Sequence, residues 1–451
     1  MGEDWHRLSA CAQGDAIGRG EIDARALAEH YLARIAEHDP DHLIYLRTTP
    51  ERARAEAEAA ARRAGDGLRR SRLDGVPISW KDLYDTAGIP TEGGTPLLKG
   101  RVPERDAVVL QRAVRAGLVC LGKTNTVQFA LGGLGTNAAT GTPPSAAMTD
   151  VPRCPGGSSS GAATSCARGL AAAAIGSDTG GSVRIPAAWN GLVGLKTSFG
   201  ALPIEGVLPL APTLDTVGPL CRTVADAAAL FAVMGARPPI DLAGARLDRT
   251  RFLVAESVVW DDADDGVAKA VRAAIARLGA AGAKVESGPV PEFERIWDVL
   301  RRLGGIVLAE GYQSWRHLVD AHADQIDPNV LARFLQGRDM RAPDVEAVRA
   351  AARAESARLY RRMAGFDAVL APTVPIAPPP IAEVADDPRA YRHHNGRALR
   401  NTQFGNVLPC CALTLPVPAP GLVAGLMVMA PAGEDARLLR VGQAIEDALA
   451  P

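Results

Sequence analysis

A run of three serines between glycines, Gly157-Ser158-Ser159-Ser160-Gly161, could carry nucleophilic chemistry. Read as G-x-S-x-G, it fits a turn in which the central serine attacks an acyl group and a distant histidine serves as base. Such a turn directly follows a strand, so that the serine oxygen projects above the sheet. The residues before Gly157, TDVPRCPG, include two prolines and favour a loop instead. Ser159 is therefore disfavoured as the nucleophile.

The stretch GLVCLGKT at residues 117–124 formally matches the phosphate-binding pattern G-x-x-x-x-G-K-[ST]. That loop needs a strand that ends at its first glycine and a helix that begins at its Lys-Thr pair. Here a helical pattern precedes Gly117, and the middle residues LVCL have the composition of a buried strand. Because a buried strand cannot wrap around a phosphate, nucleotide binding is not expected.

A second Gly-Gly-Ser, Gly180-Gly181-Ser182, follows the apolar strand-like run AAAIGS at 172–177. Adjacent glycines let successive backbone N–H groups turn toward one point, as an oxyanion hole requires. A serine beside such donors is a candidate nucleophile, but it needs a base. No histidine lies in a Gly/Ser-rich turn, so a lysine held neutral is the natural candidate. Lys81 ends the apolar run GVPISW, where loss of solvation lowers a lysine pKa.

Six segments, taken in chain order, resemble the amidase signature family across nearly the whole sequence. They are GVPISWKDLYDTAGIPTEGG, GKTNTVQFA, PGGSSSGAA, GSDTGGSVRIPAAWNGLVGLKTS, LDTVGPLCRTVADAA and FDAVLAPTVP. The resemblance implies an amidohydrolase that cleaves a linear carboxamide C–N bond and releases ammonia or an amine together with a carboxylic acid. It also implies a Ser–cis-Ser–Lys triad in which Ser182 is the acylated nucleophile, Ser158 the relay serine after a cis bond, and Lys81 the base.

The same resemblance suggests which groups surround the triad. The backbone N–H groups of Thr179, Gly180, Gly181 and Ser182 are expected to form the oxyanion hole. No cofactor is implied, and the expected partner is a small-molecule amide substrate.

Five further residues are expected to support the site. Asp178 and Arg184 flank the nucleophile, and a structural ion pair that holds the Gly-rich turn is the favoured interpretation. Ser159 and Ser160 are expected to hydrogen-bond local backbone at the start of the following helix. Ala130 is expected to be a wall residue of the acyl pocket.

The sequence departs from the family pattern at several positions. Gln128 stands where the family usually carries Glu, and the segment 141–153 replaces the usual Asn-Pro-Trp-Asp element. The C-terminal run GLVAGLMVMAP lacks the common Gly-Leu-Pro start. Trp80 is bulkier than the usual residue before the base, which predicts a narrower pocket. Because none of these changes touches the triad, they concern the substrate and not the reaction.

Periodic segments predict the elements that position these residues. An amphipathic helix is expected at 22–38 and a helix rich in Ala, Glu and Arg at about 51–65, followed by short apolar strands that alternate with helices. This alternation predicts an α/β fold: a single α/β/α domain with a large mixed, mostly parallel central sheet covered by helices on both faces.

The expected domain is one amidase domain over residues 1–451. It divides into N-terminal helices at 1–70, a catalytic core at about 71–235 and a C-terminal extension of the same sheet at about 250–451.

Composition excludes several functional classes. The chain has 451 residues, 47% of them hydrophobic, and a formal net charge of −1, so we expect a large core and no nucleic-acid or anionic-membrane partner. No apolar run reaches the ~18 residues of a membrane span, and the first residues lack a signal-peptide pattern, which predicts a cytoplasmic protein. The seven cysteines have no metal-type spacing, so no metal is expected. A homodimer is a family-level expectation.

Two alternatives stay open at this stage. The chain could be the ammonia-supplying subunit of a tRNA-dependent amidotransferase, which predicts partner chains and glutaminase activity. It could also be a non-catalytic, amidase-like binding protein, although such a protein has no reason to bury a lysine beside two serines.

Overall fold

Short runs of alanine, valine, isoleucine and leucine form the strands of one mixed sheet. The computed structural model describes residues 4–450, and among these the sheet has 11 strands. In chain order they are β1 Tyr45–Thr48, β2 Pro77–Lys81, β3 Val119–Thr124, β4 Ala173–Asp178, β5 Val193–Lys196, β6 Thr216–Cys221, β7 Arg251–Glu256, β8 Lys284–Pro289, β9 Ala368–Pro372, β10 Cys410–Val417 and β11 Ala424–Pro431. Across the sheet the order is β1-β3-β2-β4-β6-β5-β10-β11-β9-β7-β8.

Fifteen α-helices pack around this sheet within the described residues 4–450. They are α1 Ala10–Gly18, α2 Ala24–His38, α3 Pro50–Gly65, α4 Val108–Arg115, α5 Ser160–Ala167, α6 Arg184–Trp189, α7 Val224–Gly235, α8 Asp265–Ala280, α9 Pro291–Leu303, α10 Ile306–Ala321, α11 Pro328–Asp339, α12 Ala342–Met363, α13 Ile381–Ala385, α14 Pro388–Val407 and α15 Asp435–Leu449. Over residues 4–450, none of them is both long and apolar enough to cross a membrane.

The central strands are covered on both faces. Every residue of β2, β3, β4, β6 and β9 is buried. Since successive side chains of a strand point to opposite faces, burial of all of them requires packing on both sides of the sheet. The predicted α/β class and the single large mixed sheet are confirmed.

The expected predominance of parallel strand pairs is corrected by the structure. Parallel pairing joins β3 to β2, β2 to β4, β9 to β7 and β7 to β8. The other pairs are antiparallel, and β6 lies antiparallel between β4 and β5. A strand buried on both faces has the same continuous apolar run in either direction, so its composition carries no information on orientation.

Strands from all three expected chain segments meet in the one sheet. The N-terminal segment 1–70, expected to be helical, also contributes the edge strand β1. Strands β2 to β6 come from 71–235, and β7 to β11 come from 250–451. On this basis we propose that the chain is one domain.

A close approach of two helices outside the sheet depends on a glycine. An ideal Cβ placed on Gly337 of α11 would lie 1.9 Å from the backbone oxygen of Leu308 in α10. Contacts this short do not occur, so any side chain at 337 pushes the helices apart.

Gly337→Ala is therefore expected to destabilise the protein by about 1–3 kcal/mol, the usual cost of overpacking. The melting temperature measures the effect. Gly65→Ala is the matched control, because Gly65 ends helix α3 with no atom within 4 Å of the added Cβ. Equal melting temperatures for the two variants would contradict the packing argument.

Candidate active site

The amine of Lys81 lies between two serine hydroxyls at one edge of the sheet. Lys81 ends β2, and its Nζ donates to Ser158 Oγ at 2.7 Å and to Ser177 Oγ at 2.9 Å. Ser177 lies near the end of β4, which is the parallel neighbour of β2. Parallel strands end at the same edge, so the pairing brings these two side chains together.

Burial sets the protonation of Lys81. The side chain is fully buried, and the loss of solvation lowers its pKa to about 7 although the charges of Asp215 and Asp178 act in the opposite direction. A lysine with this pKa has a large neutral fraction near neutral pH. It can accept a proton from a neighbouring hydroxyl there.

Hydrogen bonds to the backbone of Ser158 hold its loop in place. The Gly157–Ser158 peptide bond is cis. The Ser158 carbonyl oxygen accepts hydrogen bonds from Thr126 Oγ1 at 2.9 Å and from the Val127 N–H at 3.2 Å. These contacts leave the Ser158 hydroxyl facing Lys81.

A backbone hydrogen bond ties this loop to the second Gly-Gly-Ser turn. The Ser159 N–H donates to the Ser182 carbonyl oxygen at 3.3 Å. Ser182 is nearly buried, with 5% of its surface exposed, and it borders the cavity described below. Within the described residues 4–450, no hydrogen bond joins the hydroxyls of Ser158 and Ser182.

The carboxylate of Asp178 organises the turn around Ser182. It accepts the backbone N–H groups of Gly181 at 2.8 Å and Val183 at 3.2 Å, and it also contacts the Arg184 guanidinium at 3.0 Å. Asn406 of α14 donates to the same carboxylate at 2.9 Å. Burial alone would raise the pKa of Asp178, but the charge and hydrogen bonds of Arg184 lower it to about 2. Asp178 and Arg184 thus form a fully buried ion pair that holds the turn.

Gly181 cannot be replaced without breaking this turn. Its φ of +134° lies in the region that favours glycine, and an ideal Cβ would lie 2.1 Å from Thr402 Oγ1. Thr402 in turn donates to the Gly180 carbonyl oxygen at 2.7 Å. Helix α14 therefore closes over the turn.

One of the four expected oxyanion donors is already occupied. The Gly181 N–H donates to Asp178, so it is no longer a candidate for this role. The N–H groups of Thr179, Gly180 and Ser182 form no hydrogen bond to the part of the chain that the structure describes. Those three are the available donors.

The neighbouring serines do not contact the backbone where the sequence suggested. Ser159 stands at the N-cap of α5 but makes no side-chain bond to that helix. Its hydroxyl instead meets the backbone of Ser177 in β4, at 3.4 Å from both N and O. The Ser160 hydroxyl is buried and has no partner among residues 4–450. The expectation of local helix capping is wrong because the hydroxyl of Ser159 faces the sheet.

A cavity of about 290 Å³ opens at Ser182. Ala130 lines it, as does the Thr179-Gly180 pair. The rest of its wall comes mainly from α9, α10, α11 and α14 and the turns beside them, through Trp297, Leu300, Arg301, Gly304, Gly305, Ile306, Val307, Leu308, Arg333, Gln336, Gly396, Leu399, Gln403 and Val407. The volume lies at the small end of the range for ligand sites.

Two of the positions that depart from the family pattern do not border this cavity. Trp80 lies on the opposite face of β2 from Lys81, because strand residues alternate, and its ring packs against Tyr84 at 5.3 Å. The expected narrowing of the pocket by Trp80 is therefore wrong. In the segment 141–153, Ser145 Oγ donates to the Trp189 carbonyl oxygen of α6 at 2.8 Å, outside the cavity wall.

The structure explains why the stretch GLVCLGKT is not a phosphate site. The lysine of GLVCLGKT, Lys123, is fully buried within β3 and donates to the Tyr84 carbonyl oxygen and Thr91 Oγ1. Its amine is thus a structural donor and not a phosphate ligand. Within residues 4–450, no group of three or more His, Cys, Asp or Glu side chains is placed to hold a metal ion.

Sequence reasoning missed two residues that act on Lys81. Nothing in the residues around Ser177 indicates its contact, yet the parallel register Trp80↔Ile175 of β2 and β4 places it beside Lys81. Asp215 lies just before β6 and accepts from Thr179 Oγ1 at 2.6 Å. It occurs in the quoted segment LDTVGPL, but only the antiparallel pairing of β6 with β4 shows that it reaches the site.

Comparison with known proteins identifies similar chains of several kinds. A family model described as Amidase matches residues 26–439. The chain is 36% identical over 450 residues to 2-amino-5-chloromuconic acid deaminase from Comamonas testosteroni, covering 97% of this chain and 96% of that one. It is 33% identical over 490 residues to a subunit of Glutamyl-tRNA(Gln) amidotransferase from Acidothermus cellulolyticus, covering 99% and 95%.

Solved structures agree with this similarity. One described as an amidase superposes with a TM-score of 0.88 at 30% identity, covering 98% of this chain and 100% of that one. The peptide amidase from Stenotrophomonas maltophilia superposes with a TM-score of 0.82 at 27% identity, covering 98% and 97%.

The pKa of Lys81 gives a prediction for pH dependence. Lys81 must be neutral to accept a proton, and its pKa is about 7. The kcat/KM for a primary amide should therefore fall about tenfold for each pH unit below about 7 and level off above it. Circular dichroism over the same range is the control for unfolding. A flat profile down to about pH 5.5 would contradict the assignment of Lys81 as base.

The buried ion pair gives a prediction for stability. Asp178→Asn keeps the shape of the side chain but leaves the Arg184 charge buried without its partner, which is expected to cost about 3–5 kcal/mol. Asp150→Asn is the matched control, since Asp150 pairs with Arg153 at the surface and such pairs contribute about 0–1 kcal/mol. The melting temperatures of the two variants measure this difference. An equal decrease in melting temperature for both variants would show that Asp178 does not hold the turn.

Proposed function

The chain belongs to the amidase signature family and is an amide-hydrolysing enzyme, and we propose that Lys81, Ser158 and Ser182 carry out its reaction. The observation that carries the proposal is the 2.7 Å contact between the buried Lys81 amine and the Ser158 hydroxyl. The family match supports it, because the motifs that hold these three residues all lie within the matched range 26–439.

The acylation step follows from the order of these groups. Neutral Lys81 takes a proton from Ser158 Oγ as Ser158 takes one from Ser182 Oγ. The Ser182 oxygen then attacks the amide carbonyl carbon, and negative charge moves to the carbonyl oxygen. The N–H groups of Thr179, Gly180 and Ser182 would stabilise this oxyanion, at roughly 3 kcal/mol for each well-placed donor.

The relay then runs in reverse. The proton returns through Ser158 to the amide nitrogen, the C–N bond breaks, and ammonia or an amine leaves. Water attacks the acyl-Ser182 ester, its proton passes along the same path, and the carboxylic acid is released. Ser182 regains its proton, so the cycle closes without a cofactor.

The substrate we propose is a small primary amide, so that the leaving group is ammonia. A cavity of about 290 Å³ supports a small acyl group. The similar chain from Comamonas testosteroni is named a deaminase, which supports ammonia as the leaving group. The cytoplasmic location and the homodimer expected from the sequence stay predictions.

The amidotransferase alternative rests on the similarity to the Glutamyl-tRNA(Gln) amidotransferase chain of Acidothermus cellulolyticus. It predicts that ammonia release needs glutamine and partner chains. The present proposal predicts hydrolysis of simple amides by the purified chain alone. The non-catalytic alternative is not retained, because the chain is an amide-hydrolysing enzyme.

Ammonia release from a panel of primary amides tests the proposed roles. Ser182→Ala, Ser158→Ala and Lys81→Ala are each expected to lower kcat/KM by at least about a thousandfold, because each removes one link of the relay. Ser159→Ala is expected to keep substantial activity, since its hydroxyl contacts only backbone. Activity that survives Ser182→Ala and vanishes with Ser159→Ala would instead identify Ser159 as the nucleophile.

Labelling gives the same answer without turnover. A serine-directed fluorophosphonate should modify the wild type at Ser182, as located by peptide mass, and should not label Ser182→Ala. Labelling at Ser159 would contradict the proposed nucleophile.

A further inference from the structure

One buried carboxylate, that of Asp215, joins the turn around Ser182 to the turn before β6. Asp215 is the residue before β6, and the first residue of β6, Thr216, pairs with Asp178 at the end of β4. Because β4 and β6 are antiparallel, the residue before β6 lies beside the residue after β4, which is Thr179. The Thr179 hydroxyl donates to Asp215 Oδ1 at 2.6 Å.

The same carboxylate holds the chain that leads into β6. Its Oδ2 accepts the Leu210 N–H at 2.9 Å, and its two oxygens accept the Ala211 N–H at 3.2 and 3.1 Å. Leu210 and Thr179 both line the cavity at Ser182. A single side chain therefore fixes two parts of the cavity wall relative to each other.

These contacts favour the ionised form of Asp215. An ionised carboxylate only accepts hydrogen bonds, and both oxygens of Asp215 accept backbone N–H groups. Burial raises the pKa of Asp215 above its ordinary value, although these donors and the charge of Lys81 act in the opposite direction. The hydrogen bonds thus stabilise a negative charge in a buried place.

That charge acts on the Lys81 amine. Two carboxylates favour the protonated amine, and Asp215 has the larger effect of the two. The other, Asp178, is paired with Arg184. Asp215 forms no ion pair within residues 4–450, so no cation in that range neutralises it. The two hydroxyls that contact the amine carry no charge.

The titratable residues that neighbour Lys81 in the chain do not replace this charge. Burial raises the pKa of the Tyr84 phenol well above its ordinary value, so the phenol stays neutral. Asp82 forms ion pairs with Arg47 at 2.9 Å and with Lys123 at 3.4 Å. Asp82 is therefore neutralised on the other side of the strand end.

We propose that Asp215 is a positioning residue of the reaction, which holds Thr179 in place for the oxyanion and sets one negative charge beside the Lys81 amine. This inference rests on the proposed function, since it assigns a partner to the base and to one oxyanion donor of that reaction. Asp215 acts through these two residues and is given no contact with the substrate.

Each part of the role has a physical reason. When the relay passes a proton to Lys81, an ammonium forms in a poorly solvated site, where a nearby negative charge stabilises it strongly. An oxyanion donor is effective only if it is already aimed when charge develops on the substrate oxygen. The hydrogen bond between Thr179 and Asp215 restrains the residue whose N–H is one of the three available donors.

The rate at which a fluorophosphonate labels Ser182, measured against pH, tests the proposal with a probe that needs no known substrate. In the wild type the rate should fall below about pH 7, because Lys81 becomes protonated there. Asp215→Asn keeps the shape of the side chain and removes its charge. Since that charge favours protonated Lys81, the midpoint of the profile should move to lower pH. The rate at the plateau should also fall by about 10- to 100-fold, the effect of losing hydrogen bonds to a charged group.

Variants of Thr179 separate the two parts of the role. Thr179→Val removes the hydroxyl but leaves the charge of Asp215, so it should slow labelling about tenfold and keep the midpoint of the wild type. Thr179→Ser keeps the hydroxyl and should label at close to the wild-type rate. These variants also test the proposal if Asp215→Asn does not fold, which its melting temperature shows.

Asp39→Asn is the matched control. Asp39 is also a buried carboxylate that holds a turn, since it accepts the N–H groups of Leu43 at 3.0 Å and Tyr45 at 2.7 Å. It forms no hydrogen bond with Lys81. Its loss should lower the melting temperature and leave the midpoint of the pH profile unchanged. An equal shift of the midpoint in both variants would overturn the role assigned to the Asp215 charge.

The remaining outcomes separate the inference from the proposed function. If the wild type is not labelled at Ser182 and hydrolyses no primary amide, the proposed function fails. If the wild type is labelled there and Asp215→Asn keeps both its rate and its midpoint, the function stands and the role of Asp215 is wrong. Labelling of Thr179→Val at the wild-type rate would overturn the part of the inference that concerns the oxyanion donor.

Discussion

Burial of the Lys81 amine, with no carboxylate within salt-bridge distance in residues 4–450, is the constraint on which the site depends. A charged amine there would lose its solvation, so the amine is held partly neutral and can accept a proton. The Asp178 carboxylate is also buried, but it keeps its charge because it pairs with Arg184. The first arrangement leaves an amine that can accept a proton, and the second holds the turn around Ser182.

The sheet topology brings these groups together. The parallel pair β2 and β4 ends at one edge, which places Lys81 beside Ser177. Because β6 runs antiparallel to β4, the residue before β6, Asp215, reaches the same edge and contacts Thr179. Helix α14, more than two hundred residues later, then supplies Asn406 to the Asp178 carboxylate. A mixed sheet thus collects at one edge groups that an all-parallel sheet would separate.

The sequence predicted the parts of the site that lie in local motifs. Lys81, Ser158 and Ser182 each stand in a short stretch whose composition limits its backbone, and the structure brings these stretches together. The misplaced features all depended on direction: the Gly181 N–H points at Asp178, and Ser159 points at β4. The position of Trp80 was within reach of the sequence, since a strand that aims Lys81 at the site must aim the preceding residue away. The orientation of β6 could not be predicted from the sequence, because a strand buried on both faces is a continuous apolar run whichever way it runs.

The wall of the cavity was beyond sequence reasoning for a different reason. An amphipathic helix shows the same apolar period whether its inner face meets a packed core or an open cavity. Helices α9, α10, α11 and α14 therefore gave no sign that they border Ser182. The proposed reacting groups sit on strand ends and glycine-rich turns, where backbone conformation and buried hydrogen bonds limit change. The wall sits largely on helix faces, where a side chain can change without moving the Lys81–Ser158 contact. A substitution in the wall would therefore change the shape of the cavity and leave the groups around Lys81 in place.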